Sequence, residues 1–256
     1  MFRVAAFVPS PPVLIPELTG RGADEAATVR AAALVGAEYL AAVADRWLAV
    51  GVDDHSGHIS SQSAGTFAGF GVDVPVSLSP RTHDPDSDPP PPDLPLPDLP
   101  LPALIAAWLR GRVAPAATVD VHLVGRDLSA ARCAQVGREL RSVMDAQPET
   151  WGVLVIGDGA TTLTSKAPGS FDDRAENVQR RIDDALATAD VAALSALDRE
   201  LCLEVGVSGL QAWQTLVGVV GDEHIDARTL YRGAPFGVGY FVGVWEPVPG
   251  VRVSGQ

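Results

Sequence analysis

The side chains best suited to chemistry fall into two loops. Asp53, Asp54, His55 and His58 stand among Ser and Gly between Val52 and Gly65, and Asp158 stands in Gly157-Asp158-Gly159. Carboxylates and imidazoles held at one place bind divalent metals, so these five residues form one candidate metal set. Without tight ligand spacing, such residues otherwise face water or cap turns. Asp158 would serve as a general base if buried. Ser10 has no base beside it in the chain, so a triad of Ser10, His55 and Asp158 has no support from spacing. His83, His122 and His224 lie in a linker, a strand and an acidic stretch, where structural or solvated roles are expected.

Several other chemistries find little support in the chain. No Lys and hydroxyl residue follow Gly157-Asp158-Gly159 as a phosphate-binding loop requires, and no dinucleotide fingerprint follows the first strand. Cys133 and Cys202 are far apart and lack metal or redox spacing, so both read as small core residues. A net charge of −13 on 256 residues repels nucleic-acid backbones and anionic membrane surfaces. Met1 to Val8 is too short for a signal peptide or a membrane span, so a cytoplasmic protein is expected.

The elements that must position the candidate residues follow from hydrophobic pattern. Val153 to Ile156 is an apolar β-branched run, as in a strand covered on both faces of a parallel sheet. It ends in Gly157-Asp158-Gly159 and the small residues Ala160, Thr161 and Thr162. Ser170 and Asp173, three apart, predict a helix start. Further strands are expected at Phe2 to Val8, Trp47 to Val50, Val72 to Leu78 and Val119 to Val124. Helices are expected over Asp24 to Ala44, Ala103 to Arg110 and Ser129 to Met144. Beyond the Gly157 loop come three apolar stripes: Ala175 to Ala185, then Leu194, Leu197, Leu201 and Val205, then Leu210 to Val220. Arg228 to Tyr231 and Val238 to Trp245 complete the pattern as an antiparallel pair. With 46% hydrophobic residues, the chain suits one α/β domain over residues 1–256: a layered, mostly parallel sheet with helices on both faces. Asp84 to Pro102 packs nine prolines into nineteen residues and reads as an extended surface connector. Ligands of open parallel sheets sit beyond the carboxyl ends of strands, so the loops at Pro9 to Pro16, Val52 to Gly65, Gly157 to Gly169 and Gly206 to Gly209 are expected to converge on a small-molecule site. Tyr231, Phe236, Tyr240 and Phe241 suggest exposed aromatic surface and a homodimer contact.

This order of elements resembles the class III extradiol ring-cleavage dioxygenase superfamily, LigB-like, over nearly the whole chain. The motifs concerned are Pro9-Ser10-Pro11-Pro12 running on through Ile15-Pro16-Glu17, Gly157-Asp158-Gly159 followed by Ala167-Pro168-Gly169-Ser170-Phe171-Asp172, and Gly206-Val207-Ser208-Gly209-Leu210-Gln211-Ala212-Trp213. The resemblance implies Fe(II) held by two His and one carboxylate, with open positions for a catechol and dioxygen. This chain departs from that pattern at the ligands. Ser10 stands where the first His is expected, and Gln211 lies near the carboxylate position. Thr161 and Thr162 occupy the loop of the acid/base His, leaving His55 as the one matching group. The expectation is a divergent member that carries no cofactor, lacks ring cleavage and keeps a pocket at Ser10, His55, Asp158, Thr161, Thr162 and Gln211. The alternative is a metal-dependent, dioxygenase-like oxidoreductase using Fe(II) or another divalent metal on the rearranged Asp and His set.

Overall fold

The computed structural model describes residues 1–19, 24–80 and 98–252. A seven-stranded sheet has the order β3-β6-β2-β7-β1-β9-β8. Its parallel centre comprises β1 (Phe2–Val8), β2 (Arg46–Asp53), β6 (Thr118–Gly125) and β7 (Trp151–Ile156). β8 (Glu223–Gly233) and β9 (Tyr240–Arg252) form the C-terminal antiparallel pair, with β9 antiparallel to β1.

β7 is apolar and buried at every position because both of its faces are covered, whereas β6 interposes half-buried Asp120 and His122 among its valines. Val4, Ala6 and Val8 of β1 enter one core with α1 (Asp24–Ala41) and α2 (Leu101–Val113). Ala5 and Phe7 enter the opposite core, whose other walls include α3 (Ala130–Asp145), α4 (Ala175–Thr188) and α7 (Leu210–Val220). The chain moves outward from β1 to β2 to β6, then returns to β7, and right-handed crossovers therefore put α3 on the face opposite α1 and α2.

Several local expectations need correction. The stripe Leu194 to Val205 is two short helices, α5 (Val191–Ser195) and α6 (Arg199–Glu204). Its apolar spacing runs on, but Asp198 caps a new helix by accepting the N–H groups of Glu200 at 2.9 Å and Leu201 at 3.1 Å. Ser170 does not cap α4: it sits at φ 66°, and the Asp172 carboxylate takes the Arg174 N–H instead. The loop from Val52 to Gly65 contains the edge strand β3 (Gly57–Ile59), paired with β6, and enters β4 (Ala64–Thr66). β4 pairs with β5 (Pro75–Ser77), the short remnant of the strand expected over Val72 to Leu78. Tyr240 and Phe241 are buried in opposite cores, with Tyr231 and Phe236 packed against one of them, so these rings do not form the exposed patch expected of a dimer contact. Residues 84–97 of the proline-rich segment, and His83, lie outside the described residues, while Leu101 and Pro102 already belong to α2.

Candidate functional site

The carboxyl ends of all four parallel strands open onto one cleft of about 560 Å³. β1 contributes Ser10, β2 contributes Val52 and Asp53, β6 contributes Arg126, and β7 contributes Ile156 to Asp158. The position follows from sheet geometry, since parallel strands deliver their outgoing loops to the same side. Ser208, before α7, completes the floor, and the turn from Asp98 to Pro102 leading into α2 forms an apolar wall.

Asp158 is the best-anchored group of the cleft. Its Oδ1 accepts the Ser10 N–H and its Oδ2 accepts the Ser10 hydroxyl, each at 2.8 Å. Its carbonyl accepts the N–H groups of Ser208 at 3.1 Å and Gly209 at 2.9 Å. This approach requires glycines: a Cβ on Gly157 would stand 2.3 Å from the Gly209 Cα. Burial raises the Asp158 pKa to about 6, against the two Ser10 hydrogen bonds that pull it down. Among the described residues no Lys, Arg or His lies in ion-pair distance of it. The carboxyl group is thus partly protonated near neutrality and can accept or return a proton. Tyr240 lies close enough for the Asp158 charge to add to the burial that pushes the phenol pKa upward.

Gln211 is buried and supports the wall, its Nε2 donating to the Arg126 carbonyl at 2.6 Å. Arg126 itself donates from Nε to Asp54 Oδ1 at 3.2 Å. Asp53 lines the cleft, and its Oδ1 accepts the Asp54 N–H at 2.8 Å. Asp54 is exposed.

The remaining candidates are placed elsewhere or serve the scaffold. His55 is exposed on the turn between β2 and β3 and does not line the cleft. His58 is also exposed, opposite His122 on the β3–β6 ladder, with Nε2 3.8 Å from Asp120 Oδ1. Thr162 is buried, its hydroxyl donating to the Val205 carbonyl at 3.0 Å, and the Thr161 N–H donates to the same carbonyl at 3.0 Å. These two threonines staple the loop after β7 to the segment after α6. Cys133 and Cys202 are buried free thiols whose pKa values burial raises to about 11.

Among the described residues, no group of three or more His, Cys, Asp or Glu is placed to hold a metal ion. The set Asp53, Asp54, His55, His58 and Asp158 is divided, with Asp53 and Asp158 on the cleft and the other three exposed to solvent.

Arg126 and the Asp98 to Pro102 wall are site residues that pattern reading passed over. Arg126 was accessible to the strand-end argument, because Arg126-Asp127 directly follows β6. The Asp98 to Pro102 turn was hidden by its proline content, which reads as linker.

No family model matches the chain. No curated protein matches it either. Among solved structures, it is similar to the crystal structure of the uncharacterized protein JW3007 from Escherichia coli K12, with a TM-score of 0.56 and 14% identity, over 95% of this chain and 99% of that one. At that identity the likeness speaks for the fold alone. Among the described residues, no helix is long and apolar enough to cross a membrane.

Proposed function

We propose that this protein is a divergent member of the LigB-like extradiol dioxygenase superfamily that binds a small molecule in the strand-end cleft and does not perform iron-dependent ring cleavage. The observation that carries this reading is the Ser10–Asp158 pair on the cleft floor. A carboxyl group without a cationic partner among the described residues is costly to bury, yet here it is built into the place where four strand ends meet. Costly groups of this kind are retained where function uses them.

Ferrous iron does not suit this donor set. Its usual two imidazoles have no counterpart among the described residues that line the cleft, where the charged groups are Asp53, Asp98, Asp158 and Arg126. Ser10 is a neutral hydroxyl committed to Asp158, and Gln211 is an amide committed to the Arg126 carbonyl. The chemistry left to these residues is recognition and proton exchange. Asp158 takes a hydrogen bond from a ligand O–H or N–H, Ser10 holds the carboxylate in place, and Leu99, Leu101 and Ile156 offer apolar contact to the ligand body.

Two measurements on one preparation test the proposal. Metal analysis of protein purified without chelator is expected to find iron well below one equivalent, and catechols are expected to cause no oxygen uptake even with Fe(II) added. Stoichiometric iron with oxygen uptake on catechols would overturn it. In parallel, a thermal-shift screen of small hydroxylated aromatic compounds and amines is expected to give hits that Asp158→Asn abolishes and His55→Ala leaves unchanged. Hits that depend on His55 and ignore Asp158 would sink the cleft assignment.

A further inference from the structure

We infer that Gln179, on α4, is a positioning residue for Asp158: its side-chain amide passes between two glycines to hold the loop after β7, and an ion pair on the C-terminal hairpin holds the amide in turn. The inference rests on the cleft working through Asp158. Gln179 Oε1 accepts the Ala160 N–H at 2.8 Å, two residues beyond Asp158. Gln179 Nε2 donates to Asp183 Oδ1 at 2.7 Å, one helical turn along α4. Asp183 Oδ2 accepts Arg232 Nε at 2.9 Å, and Arg232 also reaches Asp184 Oδ1 at 2.8 Å. The amide has one productive orientation, because an N–H donor faces one end and a carboxylate faces the other.

The surroundings are shaped to this side chain. Gln179 and Asp183 are both buried. A Cβ on either Gly159 or Gly239 would come within 2.0 Å of Gln179 Oε1, so both backbones approach the amide as only glycine allows. The same two strands of chain are laced directly, the Gly159 N–H donating to the Gly239 carbonyl at 2.8 Å and the Gly239 N–H to the Ala160 carbonyl at 2.9 Å. The loop after β7, α4 and the β8–β9 hairpin are therefore one hydrogen-bonded unit. Among the described residues, no side-chain polar atom of Gln179, Asp183 or Arg232 is buried without a partner, and a satisfied buried network selects one geometry. Asp158 leaves β7 just before this unit, so the network decides how far its carboxyl stays from water.

The test reads Asp158 without any ligand, which separates it from the test of the cleft's function. Gln179→Met keeps the side chain's length and removes both hydrogen bonds. Asp183→Asn keeps an acceptor for the Gln179 amide and removes the charge that faces Arg232. Two quantities are followed by NMR: hydrogen exchange at the Ala160 amide, and the pH midpoint of the Asp158 side-chain carboxyl. Ser10, Ser208, Asp53, Asp98 and Arg126 line the same cleft and Tyr240 lies nearby, and neither variant alters any of them. Gln179→Met is expected to speed Ala160 exchange by about tenfold or more. It is also expected to move the Asp158 midpoint down toward the ordinary carboxylate range as water reaches the group. Asp183→Asn is expected to act in the same direction by a smaller amount. An unmoved Asp158 midpoint in a folded Gln179→Met protein would overturn the inference, even with reduced thermal stability, since that is a packing role alone. Should Gln179→Met not fold, Asp183→Asn decides by the same two readouts. A cleft that binds nothing while the midpoint shifts as expected leaves the inference standing and sinks only the functional reading.

Discussion

The Ser10 hydroxyl donates to Asp158 Oδ2 at 2.8 Å across a separation of 148 residues. The strand register brings them together. β1 and β7 run parallel with Val8 opposite Ile156, and each candidate residue lies two positions beyond its member of that pair. The contact is therefore a continuation of the ladder into the cleft, made by two loops that leave the sheet in step.

Asp158→Asn is expected to stabilise the protein above pH 6 and to have no such effect below pH 4. The sign follows from linkage. The folded pKa of about 6 lies above the ordinary value of 3.8, so the favourable neutral form is fully present below pH 4 and its contribution is lost as pH rises through 6. The gain on the alkaline side is about 2 kcal/mol, given 1.36 kcal/mol per pKa unit and partial access to water. Denaturant unfolding of both proteins from pH 4 to 8 checks it, and a constant difference across that range contradicts it.

Ser10→Ala is expected to raise the Asp158 midpoint further, by about one pH unit, because a hydrogen bond to the ionised form is lost while burial remains. The Ser10 backbone N–H still donates to Oδ1 in this variant, which limits the change. The carboxyl carbon shift followed through a pH titration measures it. A downward shift would mean that water replaces the hydroxyl.

Gly157→Ala is expected to cost about 1–3 kcal/mol, since the new methyl would meet backbone that cannot swing aside. The relevant distance is 2.3 Å to the Gly209 Cα. Gly111→Ala is the control: it sits inside α2 with nothing within 4 Å of the new Cβ, and is expected to stabilise by up to ~1 kcal/mol. Thermal or denaturant unfolding of the two variants side by side gives the comparison.

Individual residues show how far pattern reading reaches. Val153 to Ile156 is apolar at every position because the sheet is covered on both faces, so the strand and its parallel setting are both visible in the chain. Gly57 to Ile59 carries no comparable signal and is a strand only because β6 offers an edge to pair with. Asp198 divides an apolar stripe that spacing alone joins, since its cap acts on two backbone N–H groups and leaves the period of the neighbouring leucines unchanged.

The candidate site divides along the same line. The chain alone determined which ends of which strands would gather, because burial on both faces dictates long apolar runs and parallel strands send their loops to one side. Only the tertiary structure decided that Ser10 meets Asp158, that Arg126 lines the cleft and that His55 turns to solvent. Those outcomes depend on pairing register and on the path of each loop, and both are set by contacts between residues far apart in the chain, which leave no periodic trace in it.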